Sequence, residues 1–232
     1  MINKNLQHQL QAIFKKWFLD FEIDCENNPN EWHYTEISNL IERNREKIKD
    51  FNDWKDELLI DLSNMPRFSI AIGEFDKGKK FTSNIYKLNK YDLLFGSIRP
   101  YFGKAGFSPI NGVVTGTILS FKPKDFKFYA LLLCLISSKR FISYTVANSK
   151  GTKMPIINWK EFGKYELALP KDENVIKKFN EIAIPLILEI SNNLHQNLKL
   201  KNIRDALLPK LMSGEIDVSN VEISQNELNS LK

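Results

Sequence analysis

Asp92-Leu93-Leu94-Phe95-Gly96-Ser97-Ile98-Arg99-Pro100-Tyr101 is an apolar run that ends in turn residues. Leu93 to Ile98 has the aromatic and branched content of a strand, and Gly96, Ser97 and Pro100 punctuate it as a turn would. Working outward, Leu58–Leu62, Phe68–Ile72, Gly112–Phe121 and Tyr165–Leu169 read as further strands. Phe128–Ala147 reads as one buried helix, followed by a loop over Asn148–Pro155. At the N-terminal side, Leu6, Leu10, Ile13, Phe14, Trp17 and Phe18 recur at steps of three and four, so residues 4–19 are expected to be helical. Asp24–Asn30 reads as a turn-rich linker, and Trp32–Lys49 as a short amphipathic helix through Ile37, Leu40, Ile41 and Ile48. Beyond the last strand, Ile176, Phe179, Ala183, Leu186, Ile190 and Leu194 approximate a heptad seam, in which Pro185 should kink the helix or mark a start. A second amphipathic stretch through Ile203, Leu207, Leu208 and Leu211 should stop at Gly214. The expected fold is α/β in the α+β sense: one domain with a mixed or antiparallel sheet, flanked by long helices that form an antiparallel coiled-coil spacer.

The 232 residues are 43% apolar and 26% charged, the composition of a soluble globular chain able to bury a proper core. Met1 leads into a polar stretch, so no secretory leader is expected, and the longest apolar run, Ala130–Ile136, is far short of a membrane span. Cys25 and Cys134 suggest neither a disulfide framework nor a zinc site, which points to reduced thiols in a cytoplasm. The net charge of +5 is unevenly distributed. Residues 64–164 hold 17 Lys/Arg against 5 Asp/Glu, a net of +12, whereas 1–63 and 165–232 carry −5 and −2. A concentrated basic excess suggests a surface for a polyanion. The alternative is a solvated face whose charge the flanks balance.

Signatures of catalysis are missing. Gly78-Lys79-Lys80 lacks the earlier glycine and the hydroxyl residue of a phosphate-binding loop, and no Gly-rich turn or Asn/Asp-Pro-Pro-aromatic segment of an adenine methyltransferase occurs. Five acids across the basic segment make a nuclease cluster hard to build, and Asp125-Phe126-Lys127 reads as a surface coincidence. His8, His33 and His195 lie outside the basic segment without ligands at metal spacing. The chain therefore reads as a binder and not an enzyme, with no cofactor or metal of its own.

Leu207-Leu208-Pro209-Lys210-Leu211-Met212-Ser213-Gly214-Glu215-Ile216 is very similar to the segment that ends type I restriction-modification specificity subunits. Asp92–Tyr101 resembles the strand and turn of their target-recognition domains, with supporting matches at Gly151–Pro155 and Tyr165–Pro170. Gln11–Phe18 resembles the helix that normally closes the first recognition domain, and Ala12–Phe18 can itself be laid on Ala206–Met212. That match is either a degenerate repeat or chance between two amphipathic helices. The resemblance implies a half subunit, since the family has two recognition domains joined by antiparallel helical spacers and this chain has one. Its parts would be a spacer helix over 1–23, a recognition domain over 24–172, a second spacer helix over 173–218 and a flexible tail over 219–232. Implied partners are double-stranded DNA, a methyltransferase subunit, a restriction subunit reached through the complex, and a second copy of the chain; S-adenosylmethionine and ATP would belong to those partners. No membrane is involved.

Phosphate contacts need Lys and Arg, whereas base discrimination needs donors in fixed geometry. The loop residues of the basic segment that fit are Lys77, Lys79, Lys80, Arg99, Tyr101, Lys104, Lys150, Thr152 and Lys153. Arg99 stands out because a Pro-flanked turn would hold its side chain in place. Leu10, Phe14, Trp17, Phe179, Leu186, Ile190, Leu194, Leu207 and Leu211 are the helix positions expected to meet a partner or a second copy, or else to form intramolecular core. Three other readings compete: a DNA-binding regulator outside restriction, a nuclease with an unrecognised site, and a structural adaptor using the helices. The sparse acids weigh against the second, the +12 segment against the third, and the Leu207–Ile216 segment against the first.

Overall fold

In a computed structural model, the described residues are 2–22, 32–78 and 84–216, and the chain divides into two compact units, Met1–Leu194 and His195–Lys232. The first unit is a mixed fold of helices and sheets. It opens with α1 (Ile2–Phe14), which continues into a π-helical turn over Lys15–Leu19, so the helix expected over 4–19 is present. The linker expected at Asp24–Asn30 lies outside the described residues.

Trp32–Lys49 is not a helix. It forms β1 (Trp32–Glu36), a 3-10 turn, β2 (Ile41–Arg43) and β3 (Lys47–Ile48). Ile37, Leu40 and Ile41 mimic a helical period, but distant strands supply stronger pairing. β1 runs antiparallel to β11 (Glu166–Pro170), from Trp32 opposite Pro170 to Glu36 opposite Glu166. Next come β4 (Leu58–Ile60), β5 (Asp76–Lys77), β6 (Ile85–Leu88), β7 (Leu93–Gly96), β8 (Ala105–Phe107), β9 (Gly112–Thr115) and β10 (Ile118–Pro123). The strand expected over Phe68–Ile72 is reduced to one isolated bridge, Ala71 to Phe107, because Phe68 takes a left-handed backbone at φ 52°. The expected Gly112–Phe121 strand is two, β9 and β10.

One sheet has the order β2-β10-β7-β8 and another β3-β6-β9-β4-β5. Alternation of side chains along β7 explains why it is buried on both faces. Leu93 and Phe95 join the larger core, built on α2 (Tyr129–Ser137), while Leu94 joins a smaller core with Ile118 of the neighbouring β10 and with Ile60 and Val114 of the other sheet. α2 is apolar all round and buried from Tyr129 to Ile136, as a central core helix must be.

The single helix expected over Phe128–Ala147 breaks at Ser138, whose extended backbone and side chain start α3 (Lys139–Ala147) by accepting a bond from the Phe141 N–H at 3.2 Å. The two helical segments are bent by 64°, and no single described helix is long and apolar enough to cross a membrane. α4 (Trp159–Gly163) leads into β11, and α5 (Glu173–Met212) closes the fold. Pro185 removes one backbone donor from α5 but starts no new helix, and Gly214 follows the helix end at φ 73°.

Within the first unit α1 packs antiparallel on the early turns of α5. Asn193 donates to Asn3 at 2.9 Å near one end, and Phe14 and Phe18 stand 6.5 and 5.0 Å from Phe179, ring centre to ring centre, near the other. Part of the expected seam is thus intramolecular core, the alternative that the sequence left open. Leu10, Phe14, Phe179, Ile190 and Leu194 are buried in the chain's own core, and Trp17 and Leu186 are partly buried against it. Leu207 and Leu211, in the second unit, are exposed.

Candidate nucleic-acid interface

The sequence places two residues of left-handed backbone around one turn. β7 ends at Gly96, and the Ser97 hydroxyl donates to the Thr117 carbonyl at 2.7 Å. Arg99 then adopts φ 50° and Gly103 φ 58°, bracketing a 3-10 turn over Pro100–Phe102 that reverses the chain into β8. The Phe102 N–H returns to the Arg99 carbonyl at 3.0 Å, and the Gly96 N–H to the Lys104 carbonyl at 2.8 Å. For an arginine the left-handed conformation is uncommon and costs energy, so something must hold it.

The loop after α3 supplies that hold. Lys150 and Ile156 exchange two backbone bonds of 3.0 and 2.9 Å around Gly151, itself at φ 98°. The Arg99 N–H donates to the Pro155 carbonyl at 2.7 Å, and the Ile157 N–H to the Ser97 carbonyl at 3.0 Å. Two segments some fifty residues apart are thereby fixed to each other, so the turn that carries Arg99 and Tyr101 adjoins the loop that carries the exposed Lys150, Thr152 and Lys153. The Arg99 Nε is buried and has no hydrogen-bond partner among the described residues. An unpaired buried donor is costly and adds to the cost of the left-handed backbone.

Other expected contacts fall elsewhere. Lys104 is half-buried, and its ammonium donates to the Leu62 carbonyl. Burial, then the charge of Arg67, holds its pKa below the usual lysine range. Lys104 thus ties the start of β8 to the chain just beyond β4 through one of its ammonium donors. Lys77 is exposed but pairs with Leu58, at the opposite end of β4 from Leu62. Lys79 and Lys80 lie outside the described residues.

Sequence reading missed Arg67, Phe68 and Lys139. The Arg67 guanidinium sits 3.9 Å from the centre of the Phe102 ring, which in turn lies 4.6 Å from that of Tyr101. Phe68 joins this group through a 3.0 Å bond from its N–H to the Gly103 carbonyl. Nothing in Met65-Pro66-Arg67-Phe68 marks these residues locally; only the contact with the turn does.

Asp125, weighed as a nuclease fragment, caps its own 3-10 turn by accepting from the Lys127 N–H at 3.0 Å, while Lys127 pairs with Glu173 at 2.8 Å. Among the described residues no three His, Cys, Asp or Glu stand where they could share a metal ion.

No family model matches the chain. It is similar to the MjaIX type I restriction enzyme specificity subunit of Methanocaldococcus jannaschii, at 26% identity over 94% of this chain and 55% of that protein. Among solved structures it is similar to the S subunit of a type I restriction-modification system from M. genitalium, with a TM-score of 0.55 and 15% identity over 90% of this chain and 56% of that one. A chain from a structural study of complex assembly and conformational transition in the type I system gives a TM-score of 0.53 and 13% identity, over 86% of this chain and 53% of that one. The likeness to these structures is one of fold. The chain spans about half the length of the curated relative it matches.

Proposed function

We propose that this chain is a DNA sequence-specificity subunit of a type I restriction-modification complex, reading half of a bipartite duplex site without catalysing a reaction itself. The observation that carries this is the bonding of the 97–103 turn to the 148–157 loop. It sets the turn that carries Arg99 and Tyr101 against the loop that carries Lys150, Thr152 and Lys153, in a chain 94% of which aligns with 55% of a specificity subunit. Arg99 is the base reader in this arrangement, its backbone fixed by the bond to Pro155, and the lysines meet phosphates.

Residues 24–172 act as the recognition domain, and 1–23 and 173–218 as helical spacers. The spacers dock a methyltransferase subunit and, through it, a restriction subunit, in the cytoplasm where the complex meets DNA. In the second unit Leu200, Ile203, Leu207 and Leu211 recur at steps of three and four and remain exposed. Such a band is the pairing surface for a second copy, and a twofold pair of recognition domains reads a symmetric split site.

The test is co-purification with a modification subunit from the same genome, followed by methylation-sensitive sequencing of DNA exposed to the complex. The expected result is methylated adenine at a split motif, palindromic when two copies pair. A chain that neither retains a modification subunit nor directs methylation overturns the proposal.

A further inference from the structure

Beside the Arg99 turn lies an open groove of about 480 Å³, lined by Phe68, Tyr101, Ile142, Val146, Lys139 and Ser143 among others, with no acidic residue in its lining. Phe68 and Tyr101 remain 54% and 44% exposed. A phenylalanine half in water gains little from burial, and this one also carries a left-handed backbone at φ 52°. Several contacts keep it there. Gln7 of α1, only 7% exposed, donates from Nε2 to the Phe68 carbonyl at 3.0 Å and accepts from the Ile70 N–H at 3.1 Å. Gly103 leaves room for the ring: a Cβ at that position would lie 2.6 Å from Phe68 Cδ1 and Cε1. A buried glutamine and a left-handed glycine are thus committed to presenting one strained, exposed ring, the kind of outlier that marks a functional contact.

The surroundings indicate the occupant. Arg67 lies over the Phe102 ring next to Tyr101, Lys139 lines the groove, and Lys104 stands close enough to feel the charge of Arg67, offset in part by Asp61. Aromatic faces alternating with cations suit a flat apolar ring attached to an anion, and a nucleobase with its phosphates has that chemistry. We propose that this groove receives a base that has left the helical stack in bound DNA, with Phe68 and Tyr101 stacking on it and Lys139 and Arg67 meeting the flanking phosphates. The inference rests on the DNA-reading role proposed above and adds distortion of the duplex to it.

The full chain is titrated into two mixed-sequence duplexes, identical except that one carries a single unpaired 2-aminopurine. Wild type should bind the bulged duplex on the order of tenfold more tightly and quench the 2-aminopurine emission as the ring stacks. Phe68→Gly, which relieves the left-handed backbone and so keeps the fold, should lose most of that preference and the quenching. Phe68→Trp should retain both. Equal wild-type affinity for the two duplexes, or a preference that survives Phe68→Gly, overturns the groove and leaves DNA reading intact. Loss of modification-subunit retention by a Phe68→Gly chain that keeps the bulge preference makes the groove a protein-docking face and overturns it as well. Failure to bind either duplex overturns the DNA-reading role itself.

Discussion

Arg99 concentrates the functional argument at the scale of single residues. Its left-handed backbone and unfilled Nε both cost stability in the free chain. Arg99→Gly should therefore melt no lower than wild type, and by as much as about 1 kcal/mol of relief higher, while losing discrimination between target and mismatched DNA. Urea unfolding alongside competition binding reads both effects, and a variant that discriminates like wild type removes Arg99 as the base reader. Lys104 gives the opposite case. Because its ammonium is taken up by the Leu62 carbonyl, Lys104→Met should leave the salt dependence of DNA binding unchanged. A slope of log affinity against log salt shallower by about 0.9 would show that a phosphate contact had been lost after all.

Elements owe their stability here to what each meets in the folded chain. The pairing of α1 with α5 turns on Phe179, buried and touched by the rings of Phe14, Trp17 and Phe18. Phe179→Ala should cost about 3–5 kcal/mol by equilibrium unfolding, because three rings of the N-terminal helical segment lose their shared partner on α5 at once. A loss below about 1 kcal/mol would mean the helices are held by something else. Much of this layer was legible in the sequence: steps of three and four marked α1 and α5, and the apolar run of Leu93–Phe95 marked β7. The same periodicity misled at Trp32–Lys49, where Ile37, Leu40 and Ile41 look helical. Pairing with β11, over a hundred residues away, and of Ile41–Arg43 with Arg43 opposite Phe121 on β10, decides that segment. The break at Ser138 does carry a local sign, the polar step Ser137-Ser138-Lys139-Arg140 with a capping serine, but the apolar residues on both sides of it read as one continuous helix and hide the 64° bend.

For the molecule as a whole, the exposed band on the second unit predicts self-association. Leu207→Asp combined with Leu211→Asp should convert a two-chain species at micromolar concentration to the one-chain mass of 27.0 kDa by light scattering. Since both side chains are exposed, the melting of the first unit should not change. A wild-type protein already monomeric at that concentration removes the paired half-subunit.

Composition and pattern by themselves determined that this chain is basic in its middle, apolar-striped at its ends, of mixed helix and strand, and similar at Leu207–Ile216 to specificity subunits, because charge and periodicity are local properties of a sequence. They placed Arg99 and Tyr101 in one turn and Lys150, Thr152 and Lys153 in one loop. Tertiary structure alone decided that this turn and loop are bonded together and that Lys104 donates to the Leu62 carbonyl. It also decided that most of the expected partner seam is the chain's own core, and that Gln7, from the first helix, holds Phe68 at the edge of a groove. The reason is physical: a hydrogen bond or a buried contact joins residues that are near in space, and here the decisive pairs are separated by some forty to more than one hundred and sixty positions in the chain.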